Sequence, residues 1–251
     1  MNVKVVIPAR YDSSRLPGKM LMTIQGKPII GYVIERVVGA GVNISDIYVA
    51  TDSDEIVGLI NSYDSDINTV LTCKSHQSGT DRINEVAKKM GWSPEQIVVN
   101  VQGDEPLIST TLIRKIIGFS KEDSLFDIKT ATAKIKTYEE LINPNVVKCV
   151  FNNYRNALYF SRSAIPNARD DKNNISRARK HIGIYSYTVR SLSQFCSYNE
   201  SELESLEKLE QLRALDNGMS IGVFDFSGDV YPGIDTIEDF DFVKQVITGD
   251  S

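Results

Sequence analysis

From its third residue the chain alternates short β-branched runs with amphipathic stretches, and this alternation restricts the possible folds more than any other feature. Val3–Pro8 reads as a buried strand, Ile29–Ala40 as a helix, Ile47–Thr51 as a strand and Asp54–Ser62 as a helix. Asn68–Thr72 (strand), Thr80–Met90 (helix), Ile97–Gln102 (strand) and Thr110–Phe119 (helix) follow. Strands that are apolar throughout and separated by helices imply a mostly parallel sheet covered on both faces. Ligands of such sheets bind outside the carboxyl ends of the strands. Function is therefore expected after Pro8, Thr51, Thr72 and Val101.

The second half changes texture. Lys129–Ile135, Val146–Phe151, Ala157–Arg162 and Ile182–Thr188 read as strands with few helices between them, which predicts a partly antiparallel extension. Asn167–Arg179 has no apolar period and reads as a loop. One long helix is expected over Leu203–Asn217, ended by Gly218. A strand over Ser220–Phe226 and a helix over Thr236–Ile247, capped by Asp235 or Thr236, close the chain. The expected fold class is α/β: a mixed, mostly parallel sheet with helices on both faces and a small antiparallel extension.

Composition narrows the function classes. At 251 residues, 41% hydrophobic and 24% charged, the chain can bury a sizeable core without covalent staples. A net charge of −5 argues against a nucleic-acid binder. Cys73, Cys149 and Cys196 lack CxxC or zinc spacing, and Cys149 lies in an apolar run as a buried hydrophobe would. No signal-peptide pattern opens the chain, and no run of about 18 apolar residues suggests a membrane span. These features describe a soluble, cytoplasmic protein with reduced thiols.

Several segments carry residues suited to chemistry. Pro8–Lys19, PARYDSSRLPGK, leaves a buried strand with three cations, two serines and a glycine, a set suited to phosphate, or else a solvated basic loop. NVQGDEP places Asp104 and Glu105 at a strand's carboxyl end, where carboxylates serve magnesium or simply form an acidic turn. Asp235 could join them or cap the last helix. Glu210 falls on the apolar flank of the leucine-rich helix, which suits a ligand-facing or paired carboxylate. His181 opens a strand after a basic loop. Ser78–Gly79–Thr80 reads as a helix entry where a nucleotide could make contact.

Taken in order, IPARYDSSRLPGK, KPII, ATDSDEI, HQSGTDRI, NVQGDEPLI, NPNVVK, ALYFSRSAIP, KHIGIYSYT, LEKLEQLRALDNG and GIDTIED resemble the CMP-Kdo synthetases, the 3-deoxy-manno-octulosonate cytidylyltransferases. The resemblance runs from the first strand to the final helix. It implies a Rossmann-like nucleotidyltransferase of the nucleotide-diphospho-sugar transferase type, a single domain over 1–251 with a sugar-binding and dimerisation extension within about 129–218. It further implies a cytoplasmic homodimer that joins CTP to a 3-deoxy-octulosonic acid for lipopolysaccharide biosynthesis, with Mg2+ as cofactor. Arg10, Ser13, Arg15 and Lys19 would hold the triphosphate. Ala9, Thr72 and Ser78 would lie around the cytidine, and Asp104 and Asp235 would ligate the metal. Gln102 would serve nucleotide and sugar, and Arg162, His181, Tyr185, Glu210 and Gln211 would face the sugar acid. The catalytic set would be Arg10, Lys19, Asp104 and Asp235. The sequence departs from the family pattern at Asn167–Arg169 and Ser201–Glu204, both flanking the implied sugar pocket, which bears on Kdo against its 8-amino analogue.

Overall fold

The computed structural model describes residues 2–11, 15–76, 78–122, 125–171 and 174–249. They gather into two units, Met1–Lys115 with Asp229–Ser251, and Ile116–Gly228. In chain order the first stretch forms β1 (Lys4–Ala9), β2 (Thr23–Ile24), β3 (Lys27–Pro28), α1 (Ile29–Gly39), β4 (Ile47–Thr51), α2 (Asp54–Tyr63), β5 (Asn68–Leu71), α3 (Gly79–Lys89) and β6 (Ile97–Asn100). The chain continues through α4 (Thr110–Glu122), β7 (Ile128–Lys134), α5 (Tyr138–Ile142), β8 (Lys148–Phe151), β9 (Ala157–Ser161) and β10 (Arg179–Thr188). The remaining elements are α6 (Val189–Phe195), α7 (Glu202–Glu207), α8 (Gln211–Asp216), β11 (Ile221–Phe226) and α9 (Ile237–Thr248).

In the first unit β6, β1, β4 and β5 lie side by side and parallel. Val5, Val6 and Ile7 of β1, and Ile47 and Val49 of β4, are wholly buried, as strands covered on both faces must be. Serines start two of the covering helices. Ser53 Oγ accepts from the Glu55 and Ile56 amides at the head of α2, and Ser78 Oγ from the Asp81 amide at the head of α3. The segment after β6 passes so close to β1 that a Cβ on Gly103 would stand 2.8 Å from the Pro8 carbonyl oxygen. Only glycine fits there, and the GDE turn is thereby laid against the end of β1.

The last segment of this unit is fixed by a core of Ile24, Ile29, Leu107, Ile234, Phe240 and Val243. Thr236 caps α9 in a reciprocal box with Asp239. The cap is therefore Thr236, and the Asp235 side chain is left for other partners.

In the second unit β7 pairs antiparallel with β10 and parallel with β11, while β8 and β9 form an antiparallel pair beside β10. This is the mixed extension that the sequence predicts. Cys149 is buried on β8, which pushes its thiol pKa up, and all three cysteines are free. Lys148 is fully buried too, its ammonium donating to the carbonyls of Asn143, Val146 and Arg162. Among the described residues no helix is long and apolar enough to cross a membrane.

The long helix expected over Leu203–Asn217 is instead two short ones. Lys208 takes a left-handed conformation, φ 51° and ψ 48°, and ends α7, and Glu210 precedes α8 as its N-cap. Every-third-residue leucines do not make one continuous stripe on a helix, and the break resolves the mismatch. Leu209 and Leu212 go to the core while Leu206 faces solvent. The bend is braced by a bidentate ion pair from Arg213 to Glu204 (2.6 and 2.8 Å). Gly218, with φ +75°, follows α8 as expected.

Gly103→Ala would force a methyl group onto the Pro8 carbonyl. The expected outcome is a loss of about 1–3 kcal/mol in stability, read as a lower urea midpoint, together with reduced turnover.

Candidate active site

One cation organises the carboxyl-end face of the first unit. Gly18, with φ +69°, starts the short 3-10 turn Lys19–Leu21, and the Lys19 side chain runs into the protein with little exposure. Its ammonium donates to Asp104 Oδ2 (2.6 Å), to the Ile234 carbonyl (2.7 Å) and to Asp235 Oδ1 (3.2 Å). Three N–H groups meet three oxygens, so the buried charge is fully satisfied. Arg15, itself exposed, reaches the second oxygen of Asp235 at 2.7 Å. The Ile234 amide donates to the Asp104 carbonyl at 2.8 Å, joining the GDE turn to the GID segment by the backbone as well.

The family resemblance assigns Arg10, Arg15 and Lys19 to the triphosphate and Asp104 and Asp235 to the metal, and the structure brings Arg15, Lys19, Asp104 and Asp235 into direct contact. Ala9 ends β1 fully buried, and Arg10 follows it in solvent. Ser13 lies outside the described residues. Gln102 stands just past β6, its amide donating to Asn100 Oδ1 (3.3 Å). Thr72 lies buried at the end of β5 and gives its hydroxyl to the Thr51 carbonyl at 2.9 Å. Ser78 is the α3 cap.

Two features of this face were not legible beforehand. Burial, with Asp104 and Asp235 close by, pushes the Glu105 carboxyl pKa up to about 8. Arg82, buried on α3, donates to the Thr72 hydroxyl and pairs with Asp52 at 2.7 Å. The doublet DE and the arginine of SGTDR were visible signals, but neither says which way its side chain turns.

The donor set suits a hard cation. Two carboxylates and a carbonyl already converge on one positive charge, the Lys19 ammonium, and all-oxygen sites of few carboxylates are those magnesium takes when phosphate and water complete its shell. No group of three His, Cys, Asp or Glu side chains among the described residues is arranged to hold a metal ion by itself.

In the second unit two of the residues expected to face the sugar, His181 and Tyr185, lie on β10, and Gln211 meets Tyr185. A bulge between Ile182 and Tyr185 interrupts the pairing with β7, and Thr130 Oγ1 bonds to the carbonyls of Ile182 and Ile184 there. The same Thr130 oxygen lies 2.9 Å from His181 Nε2. The His181 ring sits against Phe160 and Tyr185, with centroids at 5.1 and 5.3 Å, and burial pushes its pKa down to about 3. His181 is therefore a neutral hydrogen-bonding group and not a cation. Tyr185 donates to Gln211 Oε1 at 3.3 Å, while Gln211 Nε2 is buried with no hydrogen-bond partner among the described residues. Glu210 stands beside it at the α8 cap.

Arg162 departs from expectation in what it touches. Its guanidinium donates to the carbonyls of Glu207 (2.7 Å), Pro144 (3.0 Å) and Lys208 (3.3 Å), and Glu207 in turn accepts from Ser161 Oγ and the Arg162 amide. Two of its five donors thus clamp the bend between α7 and α8 and a third holds the Pro144 carbonyl after α5, while the other two have no partner among the described residues.

With this geometry in view, comparison with known proteins is decisive. The family described as cytidylyltransferase matches residues 4–221. A 3-deoxy-manno-octulosonate cytidylyltransferase of Paraburkholderia phytofirmans is 41% identical over 249 residues, 98% of this chain and 94% of that protein. The chain belongs to the 3-deoxy-manno-octulosonate cytidylyltransferase family. The 8-amino-3,8-dideoxy-manno-octulosonate cytidylyltransferase of Shewanella pealeana is as similar to this cytidylyltransferase, 42% identical over the whole of both chains. A solved structure of CMP:2-keto-3-deoxy-manno-octonic acid synthetase complexed with CTP superposes with a TM-score of 0.90 at 36% identity, covering all of both chains. The cytidylyltransferase thus has the Rossmann-like nucleotidyltransferase fold: a mixed, mostly parallel sheet flanked by helices, with a small antiparallel extension.

The buried neutral imidazole makes the stability of this cytidylyltransferase depend on pH. An unfolded histidine takes its proton near pH 6.5 and the folded His181 only near 3, so between these values the unfolded chain binds more protons. Stability is unaffected by this group above 6.5 and falls by up to about 1.4 kcal/mol for each pH unit below it. Urea unfolding at pH 7, 6 and 5 should show that slope in the wild type and a shallower one in His181→Asn.

Proposed function

We propose that the protein condenses CTP with 3-deoxy-manno-octulosonate to give CMP-Kdo and pyrophosphate, the activation step for a lipopolysaccharide sugar. The observation that carries this reading is the convergence of Lys19, Arg15, Asp104 and Asp235 at the carboxyl ends of β1 and β6. Two cations and two carboxylates cancel one another there, so an arriving triphosphate supplies acceptors for Lys19, Arg15 and Arg10 and releases Asp104 and Asp235 to a cation of their own. Those two residues would hold Mg2+, which would neutralise charge on phosphate oxygens.

The remaining roles follow from chemistry. The anomeric C2 hydroxyl of the sugar attacks the α-phosphorus in line and pyrophosphate leaves. The protein's part is to position the reactants and to stabilise developing charge with Lys19 and Arg10, without a covalent intermediate. Ala9, Thr72, Ser78 and Gln102 surround the cytidine, and Ser13 helps to bind the triphosphate. In the second unit, the unsatisfied Gln211 amide, Tyr185, Glu210, neutral His181 and the spare donors of Arg162 offer a hydrogen-bonding wall for a polyhydroxylated acid. The enzyme works in the cytoplasm as a homodimer, its second unit providing the dimer contact.

A second reading has a specific observation behind it, the full-length relative that acts on the 8-amino sugar. Pyrophosphate release from CTP, measured with Kdo and with its 8-amino analogue side by side, decides between them. Higher kcat/KM for Kdo is expected, a preference for the amino sugar overturns the Kdo reading, and no release with either removes the enzyme assignment.

Asp104→Ala and Asp235→Ala should each lower magnesium-dependent turnover by roughly a thousandfold or more, a loss of several kcal/mol of transition-state stabilisation. Circular dichroism checks that the fold survives. Near-normal turnover in either folded variant would remove that residue from the metal site.

A further inference from the structure

Away from the Lys19 centre, one buried ion pair has no part in the chemistry just described, and its bonds lead to two of the segments that do. Arg82 is the fourth residue of α3, whose neighbours Ile83, Val86 and Ala87 are packed into the core. Its side chain is 3% exposed and that of its partner Asp52 11%. Burying a guanidinium and a carboxylate costs several kcal/mol before pairing, and apolar residues of similar volume often stabilise as well or better. A pair kept in such a place is therefore informative about specificity of position.

The two ends of the arginine fork go to different strand ends. One nitrogen donates to Asp52, just past β4, and the other to the Thr72 hydroxyl, just past β5. Thr72 is held from its other side as well, its amide and hydroxyl both donating to the Thr51 carbonyl (2.7 and 2.9 Å). The second oxygen of Asp52 accepts the Tyr11 amide at 3.0 Å. Tyr11 is the second residue after β1, where the basic segment that ends in Lys19 leaves the sheet. A chain of direct bonds thus runs from α3 through Asp52 to the root of that segment, and a branch of it orients the hydroxyl of Thr72.

We propose that Arg82 and Asp52 are positioning residues for the nucleotide: they set the exit of the basic segment through the Tyr11 amide and the hydroxyl of Thr72 through the arginine fork. The inference rests on the reading of these two segments as the nucleotide-binding ones. Neither residue needs to touch CTP. Their effect is on the geometry that Arg10, Arg15 and Lys19 present to the triphosphate, and it should appear in nucleotide affinity and not in sugar affinity.

The test uses the full-length protein and CTP. Asp52→Ala, which removes the acceptor for Tyr11, should weaken CTP binding in calorimetry by about tenfold or more while leaving the KM for Kdo within about twofold. The double variant Asp52→Asn/Arg82→Gln replaces the ion pair by an amide pair and keeps an acceptor for Tyr11. It should bind CTP within about threefold of the wild type. Equal weakening in both variants, or CTP affinity within about twofold in Asp52→Ala, overturns the proposal. Should Asp52→Ala fail to fold, hydrogen exchange decides: the Tyr11 amide of the nucleotide-free wild type and of the double variant is expected to exchange at least about tenfold slower than an unstructured amide. Free exchange in the wild type overturns the positioning role. The underlying reading fails in a different way, with Lys19→Ala and Arg10→Ala both leaving CTP affinity unchanged.

Discussion

A single ammonium group holds the first unit's functional face together. Lys19 reaches from the end of the basic segment to the turn after β6 and to the segment before α9, and it satisfies all three of its N–H groups on oxygens drawn from those two places. A buried charge of this kind is tolerated only when fully paired, so the three stretches are obliged to meet. Other features of the unit serve that meeting. Gly18 supplies the left-handed turn that aims the lysine, Gly103 lets the GDE turn lie against β1, and buried Ile234 places its own carbonyl and the next carboxylate.

The second unit depends on a different economy of bonds. Polar side chains there close backbone carbonyls left open by irregular geometry: Thr130 at the β10 bulge, Arg162 at the bend after α7, Lys148 at the turn before β8. These groups cannot be exchanged for apolar ones without leaving buried acceptors unsatisfied. Tyr185 donates to Gln211 in the same unit, and the Gln211 amide nitrogen has no partner among the described residues.

The strands of the first unit, their mostly parallel pairing and nearly all of its helix starts could be read from the residues, because continuous apolar runs and helix-entry residues are local signals, whereas the order of the strands in the sheet was not. The four side chains of the central cluster were legible as types at strand ends. Their mutual contact was not, since it depends on which of Asp235 and Thr236 caps α9. Both can cap in principle, and the reciprocal bond from Asp239 decides for threonine. The bend at Lys208 is not legible in the sequence, for a physical reason. A lysine carries no sign of left-handed backbone, and the clamp that stabilises it comes from Arg162, forty-odd residues earlier. His181 was visible as a histidine at a strand mouth, but its charge state is a property of the rings that enclose it.

The first unit is discontinuous, and this has a consequence during synthesis. Lys19 and Asp104 are made early, while Ile234, Asp235 and α9 follow only after the whole of the second unit has been translated. Until they arrive, Ile24, Ile29 and Leu107 lack the apolar partners that cover them, and the lysine has one carboxylate in place of two. A growing chain therefore has to hold a nearly finished sheet with an open seam, a state exposed to aggregation and to chaperone capture. Translation that stops short of the last helix leaves that seam uncovered, so faulty products carry a mark that cellular quality control can recognise.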